Sequence, residues 1–259
     1  MFDPVLPDWP DAPPNIGALA TTRTGGFSAA PYDDSRGGGG LNLGLHCGDD
    51  PATVQQNRAL LEQALPGRPA WVSQVHGVAV ANAATVVPGS PVQLADASFA
   101  AAPGVVCAVM TADCLPVLFA DLEGKVVGAA HAGWRGLAAG VLGETVRAMR
   151  AAGAGEITAW MGPAIGPSRF EVGSDVRDSF VVGAAAGDVA QVRAAFQAYP
   201  GREGKFLADI YALARVILAR DGITRVAGGS YCTATQVDRF YSYRRDQVTG
   251  RQASLIWIK

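Results

Sequence analysis

Histidine is scarce in this chain: His46, His76 and His131 are the three among 259 residues. Any site built from several imidazoles must draw on these. Charge is sparse as well. Charged residues make up 17 % of the sequence, 21 basic against 23 acidic, for a formal net charge of −2. No basic surplus marks a nucleic-acid-binding face. No apolar run reaches the roughly 18 residues of a membrane span. The four cysteines stand at irregular spacing and do not form the disulfide framework of a small secreted domain. Met1-Phe2-Asp3-Pro4 lacks the basic and apolar segments of a secretory leader. These absences predict a soluble cytoplasmic protein with reduced thiols.

Hydrophobic residues make up 49 %, enough for a large core. Residues 1–15, with five prolines, read as an extended lead-in, and 16–259 as a single domain without linker or repeat. Ile16 to Thr22 reads as a strand, Thr24 to Ser28 as a turn, and Gly37 to Gly40 as a flexible loop. Leu41 to Leu45 reads as a short extended piece. Asp49-Asp50-Pro51 suits a helix start, and Val54, Leu60, Leu61 and Leu65 recur at helical spacing. Trp71 to His76 alternates like a strand. Val105 to Met110, Leu115 to Ala120 and Val126 to His131 have the length and composition of buried strands. Leu137 to Ala152 and Ala208 to Arg220 read as helices, and residues 176–200 look helical. Ile157 to Met161, Ile223 to Ala227, Phe240 to Arg245 and Ala253 to Ile258 complete the strands. Strands and helices mix without strict alternation. The expectation is an α/β or α+β fold: a layered domain of mixed β-sheets flanked by helices, not a Rossmann fold.

Two motifs sit where such a fold places chemistry, at strand ends. They are Thr111-Ala112-Asp113-Cys114-Leu115-Pro116 and His131-Ala132-Gly133-Trp134-Arg135-Gly136. With His76 they offer two imidazoles and a thiolate, a donor set for Zn²⁺ that leaves a fourth position for water or substrate. The same Cys114 and His131 suit a metal-free nucleophile and its base. Equally, Cys114 reads as a small core residue and each His as a hydrogen-bonded structural one. Spacing does not separate these readings. Arg135, ahead of a helix, and Arg244 on the last motif are candidate anion ligands. Asp113 is a candidate for proton transfer or ligand orientation, and Glu171 for acid–base work. His46 reads as structural.

Five stretches carry a resemblance: Ser73-Gln74-Val75-His76, Thr111 to Pro116, His131 to Gly136, Gly162-Pro163-Ala164-Ile165-Gly166-Pro167, and Phe240 to Asp246 closing with Thr249-Gly250-Arg251-Gln252. In order, from about Ile16 to Ile258, they resemble the YfiH/laccase-domain family. That family was once labelled multicopper polyphenol oxidase and is now described as purine nucleoside phosphorylases with adenosine deaminase activity. The resemblance implies a layered α/β fold related to cysteine-hydrolase-like toxins. It implies zinc at His76, Cys114 and His131. It implies phosphorolysis of adenosine, inosine and methylthioadenosine, with purine nucleosides and phosphate as partners, and hydrolytic deamination of adenosine; Asn42 and Gln74 would then be candidate base or ribose contacts. The H-x-E shuttle of known zinc deaminases is absent after His76 and His131, so Asp113 or Glu171 would have to serve. Three histidines cannot supply both a blue-copper site and a trinuclear cluster, so the oxidase label fails. A single Cu²⁺ at the same donors, with adventitious polyphenol oxidase activity, stays open. So do a cysteine hydrolase or amidase acting on peptidoglycan precursors and a binding protein with structural zinc.

Overall fold

The apolar runs at the centre of the chain become strands buried on both faces. The computed structural model describes residues 2–87 and 89–259. A four-stranded sheet runs in the order β1 (Ile16–Ala20), β14 (Gln252–Ile258), β6 (Val106–Thr111) and β3 (Pro69–Ala70). A six-stranded sheet runs in the order β13 (Val226–Gly228), β9 (Ile157–Met161), β7 (Leu115–Asp121), β8 (Val127–Ala132), β5 (Ala97–Ala100) and β4 (Val80–Asn82). A small sheet joins β10 (Glu171–Gly173), β12 (Lys205–Ala208) and β11 (Phe196–Ala198). β2 (Thr24–Ser28) lies outside the three. The helices are α1 (Pro51–Glu62), α2 (Trp134–Ala139), α3 (Val141–Ala151), α4 (Ser174–Val182), α5 (Val189–Ala194), α6 (Ile210–Arg220) and α7 (Tyr243–Asp246). Among the described residues no helix is long and apolar enough to cross a membrane. The mixed α/β architecture of sheets flanked by helices is the expected one.

Side-chain alternation along β7 and β6 stacks the layers. Leu115, Val117 and Phe119 join Leu137, Val146, Met149 and Leu213 in one core between the six-stranded sheet and its helices. Leu118 and Ala120 point the other way, against Cys107, Val109 and Ile256 of the four-stranded sheet. The far face of β6, with Val106, Ala108 and Met110, packs on Leu61 of α1 and on Leu41 and Leu43. The order is therefore helices, sheet, sheet, helix. Residues Ala112-Asp113-Cys114 carry the chain from one sheet to the other, with Asp113 at φ 95°. The proline-rich lead-in packs on this body: Val5 bridges Ala20, and buried Trp9 donates to Thr158 Oγ1.

Four local expectations change. Thr24–Ser28 is a strand, not a turn. Trp71 to His76 is not in a sheet; the strand before it is Pro69–Ala70, and His76 stands at φ 60°. Leu137 to Ala152 is not one helix: Gly140, at φ 101°, ends α2 and starts α3. Tyr243–Asp246 is a helical turn, not a strand, because the Ser242 side chain accepts the Arg245 N–H and caps it. The Asp50 cap and Pro51 start of α1 match the sequence. The helical look of residues 176–200 resolves into α4, α5 and the strand β11.

Asn57 ties α1 to the 26–42 segment. Its amide nitrogen donates to Ser28 Oγ (2.9 Å), Gly40 O (3.2 Å) and Asn42 O (2.9 Å), and its oxygen accepts the Phe27 N–H (2.9 Å). It is fully buried. Asn57→Ala should lower unfolding stability by about 2–4 kcal/mol, since it strands several buried partners. A urea transition within ~0.5 kcal/mol of wild type would show that the amide does not hold this segment.

Candidate active site and metal centre

Cys114 leaves the crossing between the two sheets, and His131 stands near the end of β8, paired in register with Pro116. His76 reaches them from the 73–77 loop. Ligand atoms of the three lie within 4.8 Å of one another. His76 Nε2 is 3.6 Å from Cys114 Sγ, and the two imidazoles meet edge to face with centroids 4.8 Å apart. Exposure grades across the group: His76 is exposed, Cys114 half-buried and His131 buried. The close approach needs Gly133, where a Cβ would lie 2.7 Å from His76 Cδ2 and 2.9 Å from Cys114 Sγ. At Gly136 a Cβ would meet the Gly77 carbonyl at 2.9 Å. The two glycines of the Gly-Trp-Arg-Gly motif therefore admit the His76 loop.

Beneath the trio lies Asp96, fully buried. Its Oδ1 accepts from His131 Nδ1 (2.8 Å) and the His76 N–H (2.9 Å). Its Oδ2 accepts the N–H groups of Val75 (3.1 Å) and Gly77 (2.7 Å). Burial raises the Asp96 carboxyl, but the His131 bond and these N–H groups outweigh it and hold it below its ordinary value. Burial alone would raise the Cys114 thiol. The charge and hydrogen bond of His131, then those of His76, reverse this and lower it to about 6. Burial would lower His131, but Cys114 and Asp96 push it up to about 9. Without a metal the pair is a thiolate facing an imidazolium.

The donor set fits a divalent ion. A tetrahedral zinc with ordinary Zn–S and Zn–N bonds separates sulfur from nitrogen by about 3.6 Å, and the Cys114–His76 distance matches this. Asp96 occupies Nδ1 of His131 and leaves Nε2 for the ligand position, the arrangement common behind metal-bound histidines.

The trio opens into a cavity of about 760 Å³. Arg135, Arg244 and Arg251 line it, with Trp134, Phe170 and Tyr243 as aromatic walls. Arg135 lies 4.5 Å over the Trp134 ring. The Arg244 guanidinium donates to the Arg169 carbonyl (3.3 Å), and that of Arg251 to the Thr249 and Gly250 carbonyls (3.0 Å each). None of these partners is a carboxylate. Asp113 is the one acidic residue lining the cavity among those described. Its Oδ1 accepts the Thr233 hydroxyl (2.5 Å) and its Oδ2 the Arg244 N–H (2.7 Å), so it pins two segments beside the trio.

Other expected residues are drawn into the scaffold. Gln74 lines the cavity, but its amide pairs with Met110, donating to the carbonyl and accepting the N–H at 2.8 Å each. Asn42 is buried, does not line the cavity, and bonds Gly44, Asp49 and the Arg251 N–H. Glu171 lies outside the cavity, in an ion pair with Arg202 (2.8 Å). Sequence reasoning missed Asp96 beneath the trio, and missed His46, Arg251 and the aromatic walls as cavity residues. Arg251 did stand inside a quoted motif.

In metal-free protein the iodoacetamide reactivity of Cys114 should rise with pH around a midpoint of about 6. Thiolate accumulates above that value, well below the usual thiol range. Cys107, buried and pushed up to about 12, should not react. Mass-spectrometric rates across pH 4–10 would test this. A Cys114 midpoint above about 8 would remove the thiolate–imidazolium pair.

Known proteins are similar to this chain in sequence and in fold. A model of the family described as multi-copper polyphenol oxidoreductase laccase matches residues 17–259. A purine nucleoside phosphorylase of Pseudomonas aeruginosa is 52 % identical over 257 residues, 98 % of each chain. The purine nucleoside phosphorylase YfiH of Escherichia coli is 48 % identical over 258 residues, again 98 % of each. Among solved structures, a Neisseria meningitidis protein with 47 % identity superposes with a TM-score of 0.87, covering 100 % of this chain and 99 % of that one. The YfiH protein of Bacillus licheniformis, 28 % identical, gives 0.83 over 94 % of this chain and 93 % of its own. From residue 17 to its last residue, this chain belongs to the YfiH/laccase-domain family.

Proposed function

We propose that the protein is a zinc-dependent purine nucleoside phosphorylase acting on adenosine, inosine and methylthioadenosine, with adenosine deaminase activity. One observation carries this reading. The His76–Cys114–His131 trio opens into the same cavity as three guanidinium groups, of which Arg244 and Arg251 donate to carbonyls and Arg135 lies over the Trp134 ring, none of them paired with a carboxylate among the described residues. Such a cavity suits a phosphate beside a polarisable base, and the full-length relatives named purine nucleoside phosphorylase support it.

In phosphorolysis a phosphate oxygen attacks C1′ of the ribose. The C1′–N9 bond breaks, its electron pair leaves with the purine, and the purine takes up a proton. The sugar leaves as its 1-phosphate. Arg135, Arg244 and Arg251 hold the phosphate anion and keep it near C1′. Trp134, Phe170 and Tyr243 give apolar faces to the purine. His76, Cys114 and His131 would hold the zinc, which when bound would supply Lewis-acid polarisation. In deamination, water replaces the C6 amine and ammonia leaves. Asp113, the acidic residue lining the cavity among those described, would move the proton, each of its oxygens keeping one lone pair beyond the Thr233 and Arg244 bonds.

A second reading rests on a different observation. Cys114, His131 and Asp96 stand in the order nucleophile, base and orienting carboxylate, with the thiol lowered to about 6. In metal-free protein that set suits an amidase acting on peptidoglycan precursors. The thiolate adds to an acyl carbon, His131 protonates the departing amine, and water then hydrolyses the thioester.

Chromatography of inosine incubated with metal-quantified protein, with and without phosphate, separates the two. Phosphate-dependent hypoxanthine is expected, falling more than about 100-fold in Cys114→Ala. Arg135→Ala should raise the phosphate KM roughly tenfold or more through loss of a charged hydrogen bond. Turnover that ignores phosphate, or survives Cys114→Ala, would sink the phosphorylase reading. Amide hydrolysis that survives chelation and stops on alkylation would favour the second.

A further inference from the structure

The Asp96 carboxylate bonds both histidines of the trio. It meets one through its ring and the other through its backbone: His131 Nδ1 at 2.8 Å and the His76 N–H at 2.9 Å share Oδ1. The N–H groups on either side of His76, from Val75 and Gly77, share Oδ2. The Asp96 carbonyl also accepts the His131 backbone N–H at 2.7 Å. Both carboxylate oxygens are thus filled by two donors each, and among the described residues the one ion-pair partner is His131.

We infer that Asp96 is the positioning residue of the metal centre, setting the ligand state of both histidines. This rests on the reading that the trio takes a metal. A carboxylate oxygen can only accept, so His131 must carry its proton on Nδ1. That frees the Nε2 lone pair for a ligand bond. Three successive N–H groups bound to one carboxylate also fix the turn that places His76 at φ 60°, a conformation uncommon for a residue with a Cβ. Without that anchor His76, exposed on a loop, has no comparable restraint. Asp96 touches neither the cavity nor the reacting groups, so its effect passes through the two ligands.

Asn at this position is not a neutral replacement. All four side-chain partners are N–H donors, and an amide turns one acceptor oxygen into a further donor. If the amide nitrogen replaces Oδ1, His131 must accept at Nδ1 and protonate Nε2, the ligating atom. If it replaces Oδ2, the Val75 and Gly77 N–H groups lose their acceptor and the His76 turn loosens.

The test compares wild type with Asp96→Asn in the full chain, using Zn²⁺ and Co²⁺ alone. Zinc affinity, read by competition with a chromophoric chelator, should fall about 10- to 100-fold. The Co²⁺ protein should lose the tetrahedral thiolate absorption of wild type. Affinity within about threefold and an unchanged Co²⁺ spectrum would overturn the proposal. If the variant does not fold, ¹⁵N NMR of zinc-loaded wild type decides. His131 protonated on Nδ1 and protected from exchange supports the role, and His131 protonated on Nε2 refutes it. Wild type that binds neither metal would instead overturn the metal reading beneath it.

Discussion

A carboxylate sealed from water must find donors or lose its charge, and Asp96 finds four. That constraint explains much of the site. The donors come from two places remote in sequence, the 75–77 loop and the end of β8, so the fold cannot satisfy Asp96 without bringing His76 to His131. Cys114 then arrives from a third direction, on the short crossing between the two sheets. The six-stranded sheet supplies His131, the crossing supplies Cys114, and a loop with no sheet pairing around His76 supplies the third group. Two of the three therefore sit on rigid elements. The third depends on hydrogen bonds to one side chain.

Packing sets how closely these parts meet. β6, β7 and β8 are buried along their full length, which leaves no slack at the ends where Asp113, Cys114 and His131 sit. Gly133 lets the His76 ring and the Cys114 sulfur come together, and any side chain there would push them apart. Asp113 performs a related task on the opposite side. With both oxygens engaged by Thr233 and Arg244, it ties the loop at Thr233 and the start of α7 to the crossing. The cationic wall and the Cys–His centre are thereby held by one residue.

The strands and most helices were legible because period and length suffice for them: continuous apolar runs for β6 to β8, an Asp-Pro start for α1. Cys114 and His131 were legible as polar breaks at the ends of such runs. The misreadings share a cause. Phe240 to Arg245 alternates like a strand, but a single serine hydroxyl closes it into a helical turn, a local bond that outweighs a weak pattern. Leu137 to Ala152 carries the periodicity of one helix, and a left-handed Gly140 divides it without disturbing that period. Asn42, Gln74 and Glu171 look available on the page, yet the fold spends the first two on backbone groups and turns the third outward to Arg202. Asp96 shows the reverse. Nothing in its neighbourhood marks it, because its partners lie about 20 and 35 residues away and meet only in three dimensions.

The cavity charge fits the phosphate that phosphorolysis needs, but the trio itself could serve either reading. What separates them is a competition for one sulfur. A thiolate that coordinates a dication has given a lone pair to the metal and is no longer the nucleophile an amidase needs. The same lowering of Cys114 to about 6 serves both outcomes, since it prepares a ligand as well as an attacking group. His131 is divided in the same way. As a base it must gain and release a proton at the nitrogen facing Cys114, whereas as a ligand it commits that nitrogen to the metal. Asp96, by occupying Nδ1, supports either role but not both at once. The two chemistries are therefore mutually exclusive in a single molecule, and occupancy of the trio, rather than any further residue, decides which one the fold performs.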